Sequence, residues 1–327
     1  MSKAVYLSVV IPVYNEQECL ETLYNRLLPV LDKLKCSFEV IFTNDGSKDR
    51  SSQILRSFFE RRPQHIRVIE FNGNFGQHMA IMAAFERARG EIIINLDADL
   101  QNPPEEIPNL LKEFEKGHDY VGTYRLKRND SWIRDASSKT MNYLRGKFTN
   151  IHIRDQGCMM RAYSRRIVDL ITQCSEGSTF ISALGYTFAI NPSEIGIPHE
   201  PRREGESKYD LYRLVRVTFD LFTSFSLAPL HAFTVFGFIV SALSGVLVAY
   251  LFLRRLIIGP EAEGLFTLFA ILYFLVSVAI TGIGIVGEYV GRTYQVVRHH
   301  PRFLIREILE EDTTEDSTPI KKQARLK

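Results

Sequence analysis

A chain of 327 residues exceeds the roughly 250 to 300 residues at which a single hydrophobic core stops growing, so a catalytic-size domain leaves room for a second part. Lysine and arginine (40) nearly balance aspartate and glutamate (38), and no uninterrupted basic run exists, so composition gives no footprint for a nucleic-acid partner. Four widely spaced cysteines, Cys19, Cys36, Cys158 and Cys174, form no Cys-x-x-Cys pair, which argues against a zinc site or disulfide framework and for reduced cytosolic thiols.

In chain order, Leu7 to Val13 reads as a strand, because its apolar stretch is too short and too soon interrupted by Pro12 for a signal peptide. A helix over Glu18 to Leu34 follows, then a strand over Phe38 to Thr43, a helix over Ser51 to Phe59, a strand over Ile66 to Phe71, a helix over Gln77 to Arg89 and a strand over Ile92 to Leu96. This alternation predicts an α/β fold, a mostly parallel Rossmann-like sheet with helices on both faces. In such a sheet ligands bind beyond the carboxyl ends of the strands. Function is therefore expected in Pro12 to Glu16, Asn44 to Ser47, Asn72 to Gln77 and the turn after Leu96. Asn72 to Gln77 is glycine-rich and precedes a helix, but it lacks the G-x-G-x-x-G spacing, which disfavours a dinucleotide fold.

The turn after Leu96 carries the strongest chemistry. Asp97 and Asp99 stand one residue apart where a buried strand stops, with Pro103 and Pro104 close behind. Two carboxylates so placed can converge on a hard divalent cation that recruits substrate phosphates, and Gln101 could add an oxygen. The competing reading is that one of them merely caps a turn.

The second half is different. Leu227 to Leu253 and Gly264 to Gly287 lack Asp, Glu, Lys and Arg, and at about 1.5 Å per residue each is long enough to cross a hydrocarbon core of roughly 30 Å. With Gly259-Pro260 between them they read as a transmembrane hairpin over residues 227–290. Lys208, Arg213, Arg216, Arg292, Arg298, Arg302 and Arg306 flank it, whereas Arg254 and Arg255 in the loop are offset by Glu261 and Glu263; the bias puts residues 1–208, the expected catalytic domain, in the cytoplasm. Tyr209 to Ser226 has apolar residues at helical spacing, which suits an interfacial helix and equally a packed one; its position before the hairpin favours the interface. Residues 291–309 form a cytoplasmic C-terminal segment, and the polar, aromatic-free residues 310–327 read as a disordered tail.

Several stretches together resemble family 2 glycosyltransferases of the GT-A fold: LSVVIPVYNE at Leu7 to Glu16, Asp45-Gly46-Ser47-Lys48-Asp49, Asp97 to Pro104, Asp155-Gln156-Gly157-Cys158-Met159-Met160-Arg161 and Arg203 to Tyr209. In this order, and with the hairpin, they are similar to the polyprenyl-phosphate glycosyltransferases. Gln77-His78, the run Asp97 to Pro108, Asp130-Ser131-Trp132 and Ser178 to Ile181 resemble the members that act on undecaprenyl phosphate with 4-deoxy-4-formamido-L-arabinose in lipid A modification. The resemblance covers nearly the whole chain except the tail.

What the resemblance implies is a multi-pass enzyme of the bacterial inner membrane that joins a sugar from a nucleotide sugar, UDP-linked in the first instance, to undecaprenyl phosphate with inversion. Membrane lipids are then a partner, nucleic acid is not, and a homo-oligomer is compatible. It puts Pro12, Tyr14, Glu16, Asp45, Asn74, Gly76, Asp97 and Ala98 around the nucleotide, with Asp45 accepting from a uracil imide; the competing reading of Asp45 is a turn residue beside Gly46. Mg2+ or Mn2+ would be held by Asp97, Asp99 and Gln101, with Arg125, Arg203 and Lys208 as further clamps on the diphosphate. Asp155 falls at the proposed base position and Asp99 joins it as a catalytic residue, while Arg134 and Lys139 are candidates for the acceptor phosphate. A phosphate monoester with second pKa near ~6 is already largely ionised at neutral pH, so a strong base is not mandatory. Other sugars on the same acceptor, such as glucose, mannose or an N-acetylhexosamine, are the nearest alternative. A processive polysaccharide synthase would carry a Gln-x-x-Arg-Trp motif, yet the single tryptophan, Trp132, has no such context. A non-catalytic adaptor would have lost the paired carboxylates.

Overall fold

The computed structural model describes residues 5–126, 153–155, 158–174, 181–198, 228–258, 265–297 and 301–311. Its centre is built from strands β1 (Leu7–Val13), β2 (Phe38–Asn44), β3 (Ile66–Phe71) and β4 (Ile92–Asn95), with helices α1 (Gln17–Lys33), α2 (Ser51–Arg61) and α3 (Gln77–Phe85) between them. Next come α4 (Ile107–Glu115), β5 (Tyr120–Arg125), β6 (Arg161–Ser164), α5 (Arg165–Gln173), α6 (Ile181–Phe188) and β7 (Pro192–Ile197). Two long helices, α7 (Ala228–Ile258) and α8 (Leu265–Val297), precede a last strand, β8 (Ile305–Leu309).

Among the described residues the strands form one sheet in the order β7-β5-β6-β4-β1-β2-β3-β8. The middle is parallel, as expected: β1 pairs with β2 and β4, and β2 with β3. The whole is mixed rather than mostly parallel, because β6 runs antiparallel to both β4 and β5, and β8 runs antiparallel to β3. Strands covered on both faces read as continuous apolar runs. Along β1, Leu7, Val9, Ile11 and Val13 enter one core with Leu20, Leu23, Leu27 and Leu31 of α1, whereas Val10 enters the other with Ile81, Phe85 and Tyr163. The α1 leucines recur at three- and four-residue intervals, so one helical stripe faces the sheet.

Helix α3 stops at Phe85, short of the expected Arg89, because the next residues belong to a buried polar cluster at the amino ends of the strands. There Glu39 accepts from the Ser8 hydroxyl at 2.6 Å and from the Arg89 amide at 2.6 Å, and pairs with Arg67 at 3.1 Å. Arg67 also donates to the Arg87 carbonyl at 2.7 Å. A Cβ on Gly90 would sit 2.5 Å from the Ser8 nitrogen, so the chain passes β1 only as glycine.

Strand β8 was not expected from sequence. It covers the edge of β3, with Ile308 opposite Ile69 and Glu307 opposite Glu70, and closes an edge that would otherwise present unpaired backbone groups. Ion pairs of Glu307 with Arg56 and of Glu310 with Arg67 and Arg89 flank it.

Helices α7 and α8 occupy the expected apolar blocks, and α8 runs on from Gly287 to Val297. Phe238, Val246, Ile257, Tyr273 and Ile283 on them are exposed. The two pack together where Phe233 lies against Gly282, a contact that any side chain at 282 would block. Among the described residues one stretch, Ile271–Gly291, is long and apolar enough to cross a membrane, with mean hydropathy 2.0. The Tyr209 to Ser226 helix, the Gly259-Pro260 turn and the tail from 312 lie outside the described residues.

Candidate active site

The functional turns meet at the carboxyl ends of β1 to β4. The chain leaves β1 through Pro12, which is buried, and Tyr14, which is 44% exposed, and turns at Asn15 with φ 55°. This loop is laced to the one after β2: the Asn15 amide donates to Ser47 Oγ at 3.0 Å, the Lys48 amide donates to Asn15 Oδ1 at 2.8 Å, and the Glu16 amide donates to Ser51 Oγ at 3.1 Å. Gly46 has φ 67°, and a Cβ there would lie 2.5 Å from the Gly73 carbonyl carbon, so only glycine lets the second and third loops touch.

Asp45 is the clamp at that contact. Its buried carboxylate accepts from the Phe75 amide at 2.6 Å and the Gly76 amide at 2.8 Å, while Asn74 donates to its carbonyl at 3.4 Å. Burial pushes the Asp45 carboxyl above its ordinary value, although the two amides pull the other way. Asp45 is thus more than a residue of its own turn: it fixes the Asn72 to Gln77 loop. Gly76 holds φ 95° with open space where a side chain would stand, and α3 starts directly behind it.

Gln77, first residue of α3, donates its amide to Asp97 Oδ1 at 2.7 Å, and Asn102 approaches Oδ2 at 3.5 Å. Asp99 accepts the Gln101 amide at 3.1 Å, closing a tight turn in which Leu100 takes φ 61°, a conformation uncommon for a residue with a Cβ. Burial first and the Asp99 charge second push the Asp97 carboxyl up to about 7. The carboxyl is enclosed although the residue as a whole keeps intermediate accessible surface. No group of three or more His, Cys, Asp or Glu suited to a metal exists among the described residues. Two carboxylates and an amide oxygen fit a hard cation that keeps water or phosphate as its other ligands. Ala98 and Leu100 of this turn enter the core, which leaves only the backbone of Ala98 for a ligand.

Asp155 and Arg125 form a second centre. The Arg125 guanidinium donates Nε to one oxygen of the buried Asp155 at 2.7 Å and Nη2 to the other at 3.0 Å. Arg125 was expected on the nucleotide diphosphate; here its fork is taken up by Asp155. Beneath them lies Arg161, fully buried, which donates to the Asp155 carbonyl at 2.7 Å and to the Tyr120 hydroxyl at 2.6 Å. The Tyr120 hydroxyl in turn donates a hydrogen bond to the Ser182 carbonyl at 3.3 Å. Thr123 donates to the Met160 carbonyl at 2.7 Å and lies 2.8 Å from Cys158 Sγ, whose thiol donates to Asn102 at 3.3 Å. The Thr123, Cys158 and Asn102 contacts reach the Asp97 centre, and the Arg161 and Tyr120 contacts underlie the Asp155 centre.

Sequence reasoning gave no role to Gln77, Asn102, Thr123 or Arg161. Two signals were present: an amide directly before Pro103, and an arginine that closes the Asp155 to Arg161 motif and opens an otherwise ordinary strand. Arg134, Lys139, Arg203 and Lys208 lie outside the described residues.

Residues 8–171 match the model of the family described as Glycosyl transferase family 2. The undecaprenyl-phosphate 4-deoxy-4-formamido-L-arabinose transferase of Edwardsiella ictaluri is 43% identical over 93% of this chain and 94% of that protein. The transferase of the same name from Aeromonas hydrophila is 44% identical over 94% of this chain and 95% of its own length. Among solved structures, a glucosyl-3-phosphoglycerate synthase of Mycobacterium tuberculosis is 17% identical, with a TM-score of 0.49, over 68% of this chain and 79% of that one.

Proposed function

We propose that this chain, which belongs to glycosyl transferase family 2, transfers 4-deoxy-4-formamido-L-arabinose from a UDP-linked donor to undecaprenyl phosphate, with inversion, at the cytoplasmic face of a bacterial inner membrane. The observation that carries this reading is identity above 40% over nearly the full length of transferases named for that sugar and that lipid. The paired carboxylates at the end of β4 supply the chemistry such a reaction needs.

Asp97, Asp99 and Gln101 would hold Mg2+ or Mn2+, which when bound neutralises charge developing on the departing diphosphate. Tyr14, Glu16, Asn74 and Gly76 line the nucleotide side, and Asp45 ties the Asn72 to Gln77 loop to its own through the Phe75 and Gly76 amides. Asp155 faces the acceptor. With both its oxygens turned to Arg125, it suits orienting an already ionised phosphate better than abstracting a proton. Arg203 and Lys208 are assigned to the diphosphate, Arg134 and Lys139 to the acceptor phosphate, and α7 with α8 to a membrane hairpin that keeps the polyprenyl tail in lipid. Incubating the purified full-length protein with a panel of nucleotide sugars and undecaprenyl phosphate tests the reading; a preference for a hexose donor would replace the sugar, and no lipid-linked product from any donor would overturn the function.

The Asp97 carboxyl gives the site a pH dependence of defined sign. It must be ionised to bind a cation, and its folded-state value lies at about 7. Manganese affinity, read as free Mn2+ by electron paramagnetic resonance without nucleotide, should therefore be level above that pH and weaken about tenfold per unit below it. Stability of the metal-free protein should move the other way. Between the ordinary carboxylate value and about 7 the folded state binds more protons than the unfolded chain, so stability falls as pH rises through that window.

A further inference from the structure

The segment that follows α8 reaches the nucleotide side of the site by two routes. In the first, Phe303 stacks on Phe71 with ring centroids 5.1 Å apart and planes at 10°, and Phe71 meets Phe75 edge-on at 5.6 Å. Phe75 is the residue whose amide Asp45 holds at 2.6 Å. The Leu304 carbonyl next door accepts the amide of Asn72, first residue of that loop, at 3.1 Å. In the second route Arg306 stands 3.7 Å from Glu70, which is 1% exposed and accepts from Asn44 at 2.7 Å and from Ser52 at 2.8 Å. Asn44 in turn accepts the Ser47 amide at 3.1 Å. The register shift of β8 between Glu70 and Phe71 falls where these two routes diverge.

We propose that Phe303 and Arg306 are positioning residues for the donor nucleotide: the chain leaving the long apolar helix α8 sets the Asn72 to Gln77 loop, and through it the Asp45 clamp and the Gln77 amide on Asp97. The inference rests on the reading of that loop as the nucleotide side. The far half of β8, Ile308 and Leu309, pairs with Ile69 and Val68, away from the loops. The near half instead ends on the two loops that Gly46 brings into contact. The segment Phe303 to Arg306 is thereby tied to the donor side through packed rings and a buried carboxylate.

The test uses the full-length protein and three variants, Phe303→Ala, Phe303→Tyr and Glu310→Gln, the last weakening β8 at its far end. Phe303→Ala should raise the KM for the nucleotide sugar about tenfold with little change in the KM for undecaprenyl phosphate or in kcat at saturating donor. Amide exchange across residues 72–77 should quicken in the same variant. Phe303→Tyr, which keeps the stacked ring, should behave as wild type, and Glu310→Gln should leave donor KM unchanged. An unaltered donor KM and exchange rate in Phe303→Ala, or equal effects from Phe303→Ala and Glu310→Gln, would overturn the proposal in favour of simple edge cover. Should Phe303→Ala not fold, Arg306→Ala decides by the second route, with a donor KM raised about threefold in support and an unchanged one against. If the wild type used no nucleotide sugar at all, the donor reading would fail on its own, and exchange at residues 72–77 would still decide whether Phe303 positions the loop.

Discussion

Asp99→Asn should lower kcat by about 10²- to 10³-fold while leaving the thermal midpoint nearly unchanged. The asparagine oxygen can still accept the Gln101 amide, so the turn that holds Leu100 at φ 61° keeps its closing hydrogen bond. What disappears is one of two negative charges. The loss also relieves Asp97, whose raised carboxyl owes part of its shift to Asp99. In the variant, Asp97 should ionise at lower pH and yet bind a cation less well, a combination that mere misfolding would not produce. Steady-state turnover at saturating donor, beside a melting curve, is the measurement. Turnover within threefold of wild type would remove Asp99 from the catalytic group.

At the other end of the sheet, Glu39→Ala should cost about 3 to 5 kcal/mol of stability, because it strands the Arg67 charge and two donors in the interior. Arg67 has 10% of its side chain exposed and Glu39 5%, so water cannot take the place of the lost carboxylate. The Ser8 hydroxyl and the Arg89 amide lose their acceptor in the same step. Glu310 remains near Arg67 at 2.8 Å and softens the effect without cancelling it. Denaturant unfolding of the two proteins measures the difference, and a loss below about 1 kcal/mol would refute it. Activity per folded molecule should be unchanged, since the cluster lies at the amino ends of the strands. The paired replacement Glu39→Leu with Arg67→Met should recover much of the loss, because removing both charges removes the desolvation cost as well.

Much of the first hundred residues was legible because local signals agreed. β1, β2, β3 and β4 are apolar runs buried on both faces, and each is closed by a turn rich in Gly, Asn or Asp. The same signals led to the paired carboxylates and to the loops now seen around Asp45. Contacts between distant residues were not legible. Arg125 reads as a clamp on the diphosphate, and its pairing with Asp155, thirty positions on, which takes both arms of its guanidinium, has no local signal. Asp45 reads as a turn residue or a base reader, and its hold on the Phe75 and Gly76 amides, thirty positions on, shows only in the fold. The antiparallel insertion of β6 rests on only four residues, Arg161–Ser164, too few for a periodic pattern. β8 was missed for a related reason: IREIL is five residues long with two adjacent charges and no strict alternation, and its partner lies more than two hundred residues upstream.

That separation has a consequence for biosynthesis. A chain emerging from the ribosome has β1 to β7 available long before residues 305–309 exist, so the sheet waits with β3 as an open edge while α7 and α8 are made. During that interval the backbone of β3 and the Glu70 carboxylate lack their last neighbours, which makes the nascent domain prone to strand pairing with other chains. Closure by β8 is the final step, of high contact order, and it occurs only on a chain that has completed both long helices. Products cut short anywhere after β7 keep β3 as an exposed edge, so removal of residues 305–309 should raise aggregation of the chain, read by light scattering beside the full-length protein.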